Sequence, residues 1–238
     1  MKGNNRVKIH GVPGDEARGR GILRMLGTLM GAVFATGVFI GLLLPRMPSK
    51  LVVPALAIII AVLIYALRNG VKALSSFFKG ARGEERVSFT LEALPDGYHV
   101  FNDLEGFSAG IDHVVVGERG VFAIETKYWS GKVALDGQRL TLDGKTPQRD
   151  ALRQAEASAF SVGELLSKKT DQTVECVPVL CFASDTFTPG VTVCGKVTIC
   201  NVSELIKVIN SRSCHLTPTE IGQIVKIIDH NESSPQTN

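Results

Sequence analysis

The chain has 238 residues, 45% of them hydrophobic, and its 26 Lys and Arg against 23 Asp and Glu give a net charge of +3. That length and a positive mean hydropathy allow one sizeable core plus a membrane segment, while so mild a charge names no partner by itself. The five cysteines, Cys176, Cys181, Cys194, Cys200 and Cys214, are odd in number and lack paired CxxC spacing, so they read as buried thiols of a reducing cytoplasm rather than as zinc ligands.

In chain order, residues 1–20 form a basic N-terminal tail, and the segment 21–67 is expected to hold two transmembrane helices. Residues 25–44 carry no charge, and about 20 such residues make about 30 Å of helix, enough to span a bilayer. A second uncharged run covers 51–67, with Pro54 expected in its first helical turn. The intervening PRMPSK leaves room only for a tight turn, which predicts a helical hairpin with both flanks on one side. Lys2, Arg6, Lys8, Arg18 and Arg20 precede the hairpin and Arg68, Lys72, Lys79 and Arg82 follow it, against Arg46 and Lys50 in the loop. That bias predicts cytoplasmic flanks, termini and soluble domain. Gly27/Gly31 and Gly37/Gly41 have the spacing that lets membrane helices approach closely, and the general abundance of glycine in such helices accounts for them equally well.

Residues 68–82 read as a juxtamembrane linker, with Phe77 and Phe78 beside lysines as at a headgroup interface. A helix is expected over 83–94, from the spacing of Val87, Leu91 and Leu94 and the stop at Pro95. Strands are expected at 98–103, 111–116, 121–127, 132–135 and 139–142, the last two joined at Asp136-Gly137. A helix at 148–168, strands near 174–183 and 191–200, and helices near 203–211 and 218–230 complete the domain, which spans 83–230. Residues 231–238 are polar and read as a disordered tail. The fold class is α/β: a mixed central sheet flanked by helices, preceded by the two-helix transmembrane hairpin.

Within "IDHVVVGERGVFAIETK", residues 111–127, a hairpin closed by Val116 and Val121 sets Asp112 opposite Glu125. Opposed like charges destabilise a sheet unless something neutralises them, and two carboxylates suit Mg²⁺, which binds through one or two of them together with substrate phosphate. Lys127 shares the face of Glu125, two residues along. An ordinary surface ion-pair cluster is the competing account. The apolar sets Val114, Val116, Val121, Ala123 and Ile111, Val115, Phe122, Ile124 predict a sheet covered on both faces. His113 alternates away from the site, and Trp129 with Tyr128 offers either a stacking surface for a base or a strand-end cap. Sequences of the type GxxxxGK[ST] and HExxH are absent.

Residues 80–166 resemble the nuclease-related domain (NERD) family, a branch similar to the restriction-endonuclease-like PD-(D/E)xK nucleases. The resemblance is carried by Gly83-Glu84, by Ile111 to Val116, by Gly120-Val121-Phe122 leading to Glu125-Thr126-Lys127, and by Gln154-Ala155. It implies a phosphodiesterase core with Asp112 and Glu125 as ligands of Mg²⁺ (or Mn²⁺), Lys127 as catalytic lysine, Glu84 as accessory acid and Gln154 as a polar group facing the site. Two departures are Ile111 where proline stands in the wider superfamily, and Asp150-Ala151 where Asn-Pro is expected before the glutamine. The function so implied is a membrane-anchored, cytoplasm-facing, metal-dependent nuclease whose partners are nucleic acid, DNA ahead of RNA, and the lipid bilayer. The alternatives are a catalytically weak nucleic-acid-binding module and a membrane scaffold whose soluble domain binds proteins.

Overall fold

A computed structural model describes residues 7–105, 107 and 110–233. The chain divides at Gly14 and Ala81 into two compact units.

The unit of residues 15–81 is helical. Helix α1 (Asp15–Val38) passes into a π-helical turn at Phe39–Leu43 and a 3-10 turn at Leu44–Arg46, and α2 (Ser49–Leu91) then runs on without interruption. Ala17–Leu43 and Ser49–Leu91 are both long and apolar enough to cross a membrane, and large apolar side chains such as Met30, Phe34, Val53 and Ile58 stand exposed along them. Pro54 sits inside α2 rather than in its first turn, because the helix starts earlier, at Ser49. The glycines that bring α1 and α2 together are Gly21, where a Cβ would lie 2.7 Å from Cβ of Phe77, and Gly70, which faces Met25. A Cβ added at Gly27, Gly31, Gly37 or Gly41 would meet nothing within 4 Å. Phe77 therefore packs inside this unit, with the Arg24 guanidinium 5.2 Å from its ring centre.

The linker expected at 68–82 and the helix expected at 83–94 are one continuous α2, which runs through Gly70, Gly80 and Gly83 without a break. Its last residues belong to the α/β unit, where Val87 and Leu91 are fully buried.

That second unit contains a seven-stranded mixed sheet in the order β1-β2-β3-β4-β7-β9-β8 and a separate two-stranded hairpin, β5-β6. The strands are β1 (Lys8–His10), β2 (His99–Leu104), β3 (Ile111–Gly117), β4 (Gly120–Lys127), β5 (Val133–Asp136), β6 (Arg139–Leu142), β7 (Cys176–Phe182), β8 (Thr192–Cys194) and β9 (Val197–Asn201). The helices are α3 (Ala151–Thr170), α4 (Leu205–Asn210) and α5 (Pro218–Ser233). Part of the expected N-terminal tail is thus a strand: β1 pairs in parallel with β2, Ile9 beside Val100. The last helix takes in residues 231–233, and the rest of the expected disordered tail lies outside the described residues.

The sheet is covered on both faces. Val114, Val116, Val121 and Ala123 pack against Ala159, Val162 and Leu166 of α3 and Ile224, Val225 and Ile228 of α5. Val115, Phe122 and Ile124 pack against Val87 and Leu91 of α2 and Leu205, Val208 and Ile209 of α4. Ile111 departs from simple alternation and joins the cluster of Val114, not that of Val115. Strand β3 turns where the ladder to β4 ends, and the residue after Ile111 is Asp112.

Candidate active site

The β3–β4 ladder runs from Gly117 opposite Gly120 to His113 opposite Ile124, the expected register, and ends one step short of Asp112 and Glu125. One step beyond His113 the strands stop pairing by main chain. The backbone N–H of Thr126 donates instead to Asp112 Oδ2 at 2.7 Å. A side-chain carboxylate has taken the place of a ladder carbonyl, which fixes Asp112 at the opened end of the hairpin and satisfies an amide that a splayed strand would otherwise leave bare.

Glu125 and Lys127 extend from β4, whose other edge pairs in parallel with β7, Glu125 beside Leu180 and Lys127 beside Phe182. That pairing with β7 holds the end of β4 that carries both residues. The Glu125 side chain is only 7% exposed and that of Lys127 18%, and the lysine Nζ donates directly to Glu125 Oε1.

Glu84 arrives from α2. Gly83, just before it, is buried, and a Cβ there would lie 3.0 Å from Cβ of Tyr128 and 3.4 Å from Cβ of Ala183. The missing side chain lets α2 settle onto the ends of β4 and β7, which brings the next residue to the acids. Burial first, then the charges of Glu125 and Glu84, push the Asp112 carboxyl well above the ordinary carboxylate range, and Lys127 and the Thr126 N–H pull the other way. Of the neighbouring pair Glu84 and Glu85, it is Glu84 whose charge bears on Asp112.

Gln154 lies near the start of α3, which packs on β4 and β7. Its Oε1 is buried and has no hydrogen-bond partner among the described residues. Asp150, where the family pattern led to an expected asparagine, caps this helix by accepting from Arg153 N at 3.1 Å.

The remaining candidates resolve otherwise. His113 is fully buried with its ring Nδ1 2.8 Å from Asn102 Oδ1, and burial lowers its pKa to about 3, so it is a neutral core group. Trp129 packs against Phe182 with ring centres 5.4 Å apart, beside Val133 and Phe187, and so caps the strand end. Two participants escaped the sequence reading: the Thr126 amide, which no residue type could announce, and Asn102, whose side chain bonds both His113 and the carbonyl of His10.

The structure therefore brings the charges of Glu125, Glu84 and Lys127 to bear on Asp112, on the elements expected from the hairpin spacing and the family resemblance. Residues 79–183 match the nuclease-related domain family. That match covers a little under half of the chain. That match runs from the end of α2 to the end of β7, and it contains all five candidate residues. An uncharacterized protein of Bacillus anthracis is 40% identical over 80 residues, covering 31% of this chain and 37% of that protein, so the chain spans well under half of the curated relative it matches. No solved structure matches the chain significantly. The matched family is described as nuclease-related.

The donors available to a cation are the carboxylate oxygens of Asp112 and Glu125. Among the described residues no group of three or more His, Cys, Asp and Glu side chains is arranged to hold a metal ion. A site here would be completed by water and substrate, as Mg²⁺ sites commonly are.

Proposed function

We propose that the protein is a membrane-anchored, cytoplasm-facing nuclease that hydrolyses phosphodiester bonds of DNA, or of RNA, with the help of Mg²⁺ or Mn²⁺. The observation that carries this reading is that the charges of Glu125, Glu84 and Lys127 all bear on the buried Asp112 carboxyl, with Lys127 paired to Glu125. Neither binding nor scaffolding calls for such an arrangement. Each acid raises the energy of the others in a partly dry site, and a divalent cation relieves that repulsion.

Asp112 and Glu125 fit the hard-oxygen donor set of Mg²⁺ and would hold it; when bound, the ion supplies Lewis-acid activation of the phosphoryl group and of water. The chain's own groups do the rest. The Thr126 N–H fixes the Asp112 carboxylate in orientation. Lys127, whose ammonium is steered by Glu125, offers a preorganised positive charge to the oxygens on which negative charge develops during displacement. Glu84 adds an acid from a separate element, and the Gln154 oxygen, which has no partner among the described residues, offers an acceptor.

Anchoring is supported by the two apolar helices and their exposed large side chains, and orientation by the basic residues on the hairpin's flanks. The deciding experiment uses the full chain in detergent micelles with supercoiled, linear and single-stranded DNA and with RNA, in Mg²⁺, Mn²⁺ or EDTA, beside Asp112→Asn and Lys127→Ala. Cleavage that requires the cation and disappears in both variants is expected. Cation-independent cleavage, or equal activity in either variant, would remove Asp112 and Lys127 from the chemistry.

A further inference from the structure

Beside the candidate site, and built from different side chains, lies a cavity of about 480 Å³ between the start of α3, the β5–β6 hairpin and the β8–β9 turn. Arg139 comes from β6, Arg149 from the segment before α3, and Arg153 from its first turn. All three are exposed, and none has a side-chain hydrogen bond or ion pair with another described residue. The floor is apolar: Leu140, Ala151 and Cys194 are buried at 6%, 1% and 7% exposure.

The acids in the lining are Asp150 and Glu156. One carboxylate oxygen of Asp150 is already taken by the backbone N–H of Arg153. Three guanidinium groups thus outnumber two carboxylates, and Lys145 and Lys196 adjoin the lining residues Thr146 and Gly195 in sequence. Such a fork-bearing cationic wall over a dry floor suits a group that is anionic at one end and flat or apolar at the other. The cavity wall and the candidate site also share α3, since Arg153 precedes Gln154 directly.

We propose that this cavity is a phosphate-binding subsite that seats one nucleotide unit of a nucleic-acid strand, its phosphate on Arg139, Arg149 and Arg153 and its remainder over Leu140 and Cys194. The subsite rests on the nuclease reading for the identity of the strand. The phosphate comes either from the strand's backbone or from its 5′ end.

Binding of the full chain in detergent micelles to fluorescent oligonucleotides, with and without a 5′-phosphate, is measured by anisotropy in EDTA over a series of salt concentrations. The combined Arg139→Ala, Arg149→Ala and Arg153→Ala variant is expected to bind at least tenfold more weakly. Its log K against log salt slope should be shallower by about 2, since each lost phosphate contact on a single strand removes roughly 0.7. Exposed side chains are being removed, and an unchanged thermal melt confirms that the fold survives. Equal loss on both oligonucleotides assigns the cavity to backbone phosphate, and loss confined to the phosphorylated one assigns it to the terminal group. Unchanged affinity and slope would overturn the subsite, as would failure of the wild type to bind either oligonucleotide. Tight wild-type binding without cleavage in Mg²⁺ or Mn²⁺, weakened in the variant, would overturn the nuclease reading alone and leave the subsite standing.

Discussion

The ammonium of Lys127 donates to Oε1 of Glu125, two residues back on the same face of β4, and both side chains are largely withdrawn from water. Removing the lysine leaves a buried carboxylate without its counter-charge, so Lys127→Ala is expected to lose stability as well as catalysis. A cost of about 1–3 kcal/mol follows from stranding a mostly buried charge, and a loss of about 10²–10³-fold in cleavage rate from removing a preorganised positive group. Urea unfolding and plasmid cleavage separate the two. In the double variant with Glu125→Gln stability should recover while activity stays lost; a recovery of activity would contradict the role given to Lys127.

Asp112→Asn keeps an oxygen to accept from the Thr126 amide and discards the charge that burial, Glu125 and Glu84 oppose. The variant should therefore be inactive yet at least as resistant to heat as the wild type when no divalent cation is added. Differential scanning calorimetry in EDTA checks this. A melting temperature lower by several degrees would show that the carboxylate serves the fold.

Strand β1 contributes to the α/β unit although it precedes both apolar helices in sequence. Asn102 Nδ2 donates to the His10 carbonyl at 3.2 Å, and Gly11, at φ +72, passes so close that a Cβ would fall 2.4 Å from the Asn102 carbonyl oxygen. Gly11→Ala should cost about 1–2 kcal/mol, through the left-handed backbone and the clash together. A fragment beginning at residue 82 should melt below the full chain and self-associate through the bared edge of β2. Equal melting of fragment and full chain would show that β1 adds nothing to the domain.

His113 is neutral in the fold, its pKa lowered to about 3 by burial, whereas an unfolded chain takes up a proton near pH 6.5. The unfolded state then binds more protons across that interval. Stability conferred by His113 is complete above about pH 6.5 and declines as pH falls toward 3, by up to about 1.4 kcal/mol for each pH unit. His113→Gln should flatten the acid side of the stability profile measured by urea unfolding between pH 6.5 and 5. An unaltered slope would assign acid sensitivity to other groups.

The proposed topology places the turn between the helices outside and the domain inside. The five native cysteines all lie in the domain. In intact cells a membrane-impermeant maleimide should label Ser49→Cys and leave the wild-type chain unlabelled. Labelling of the wild type would reverse the orientation.

How far the sequence reaches is visible in individual residues. Apolar periodicity located β2 to β7, α3 and α5, and hairpin spacing fixed the register of the β3–β4 ladder from Gly117 and Gly120 to His113 and Ile124, because these signals depend on local backbone geometry. Asp112, Glu125 and Lys127 were legible in that spacing, whereas Glu84 and Gln154 came only from the family resemblance. Local pattern was blind to β1, where the three residues Lys8–His10 become a strand only because β2 presents an open edge. It divided α2 between Arg68 and Gly83, although the helix carries those charged residues and glycines without a break. Alternation also failed at Ile111, which turns toward Val114 as β3 leaves its ladder. The chain by itself determined which chemical groups are present and which strand carries them. Tertiary packing alone decided that Gly83 would bring Glu84 to Asp112 and that the Thr126 amide would hold it, since those contacts join elements far apart in sequence and backbone groups that carry no residue identity.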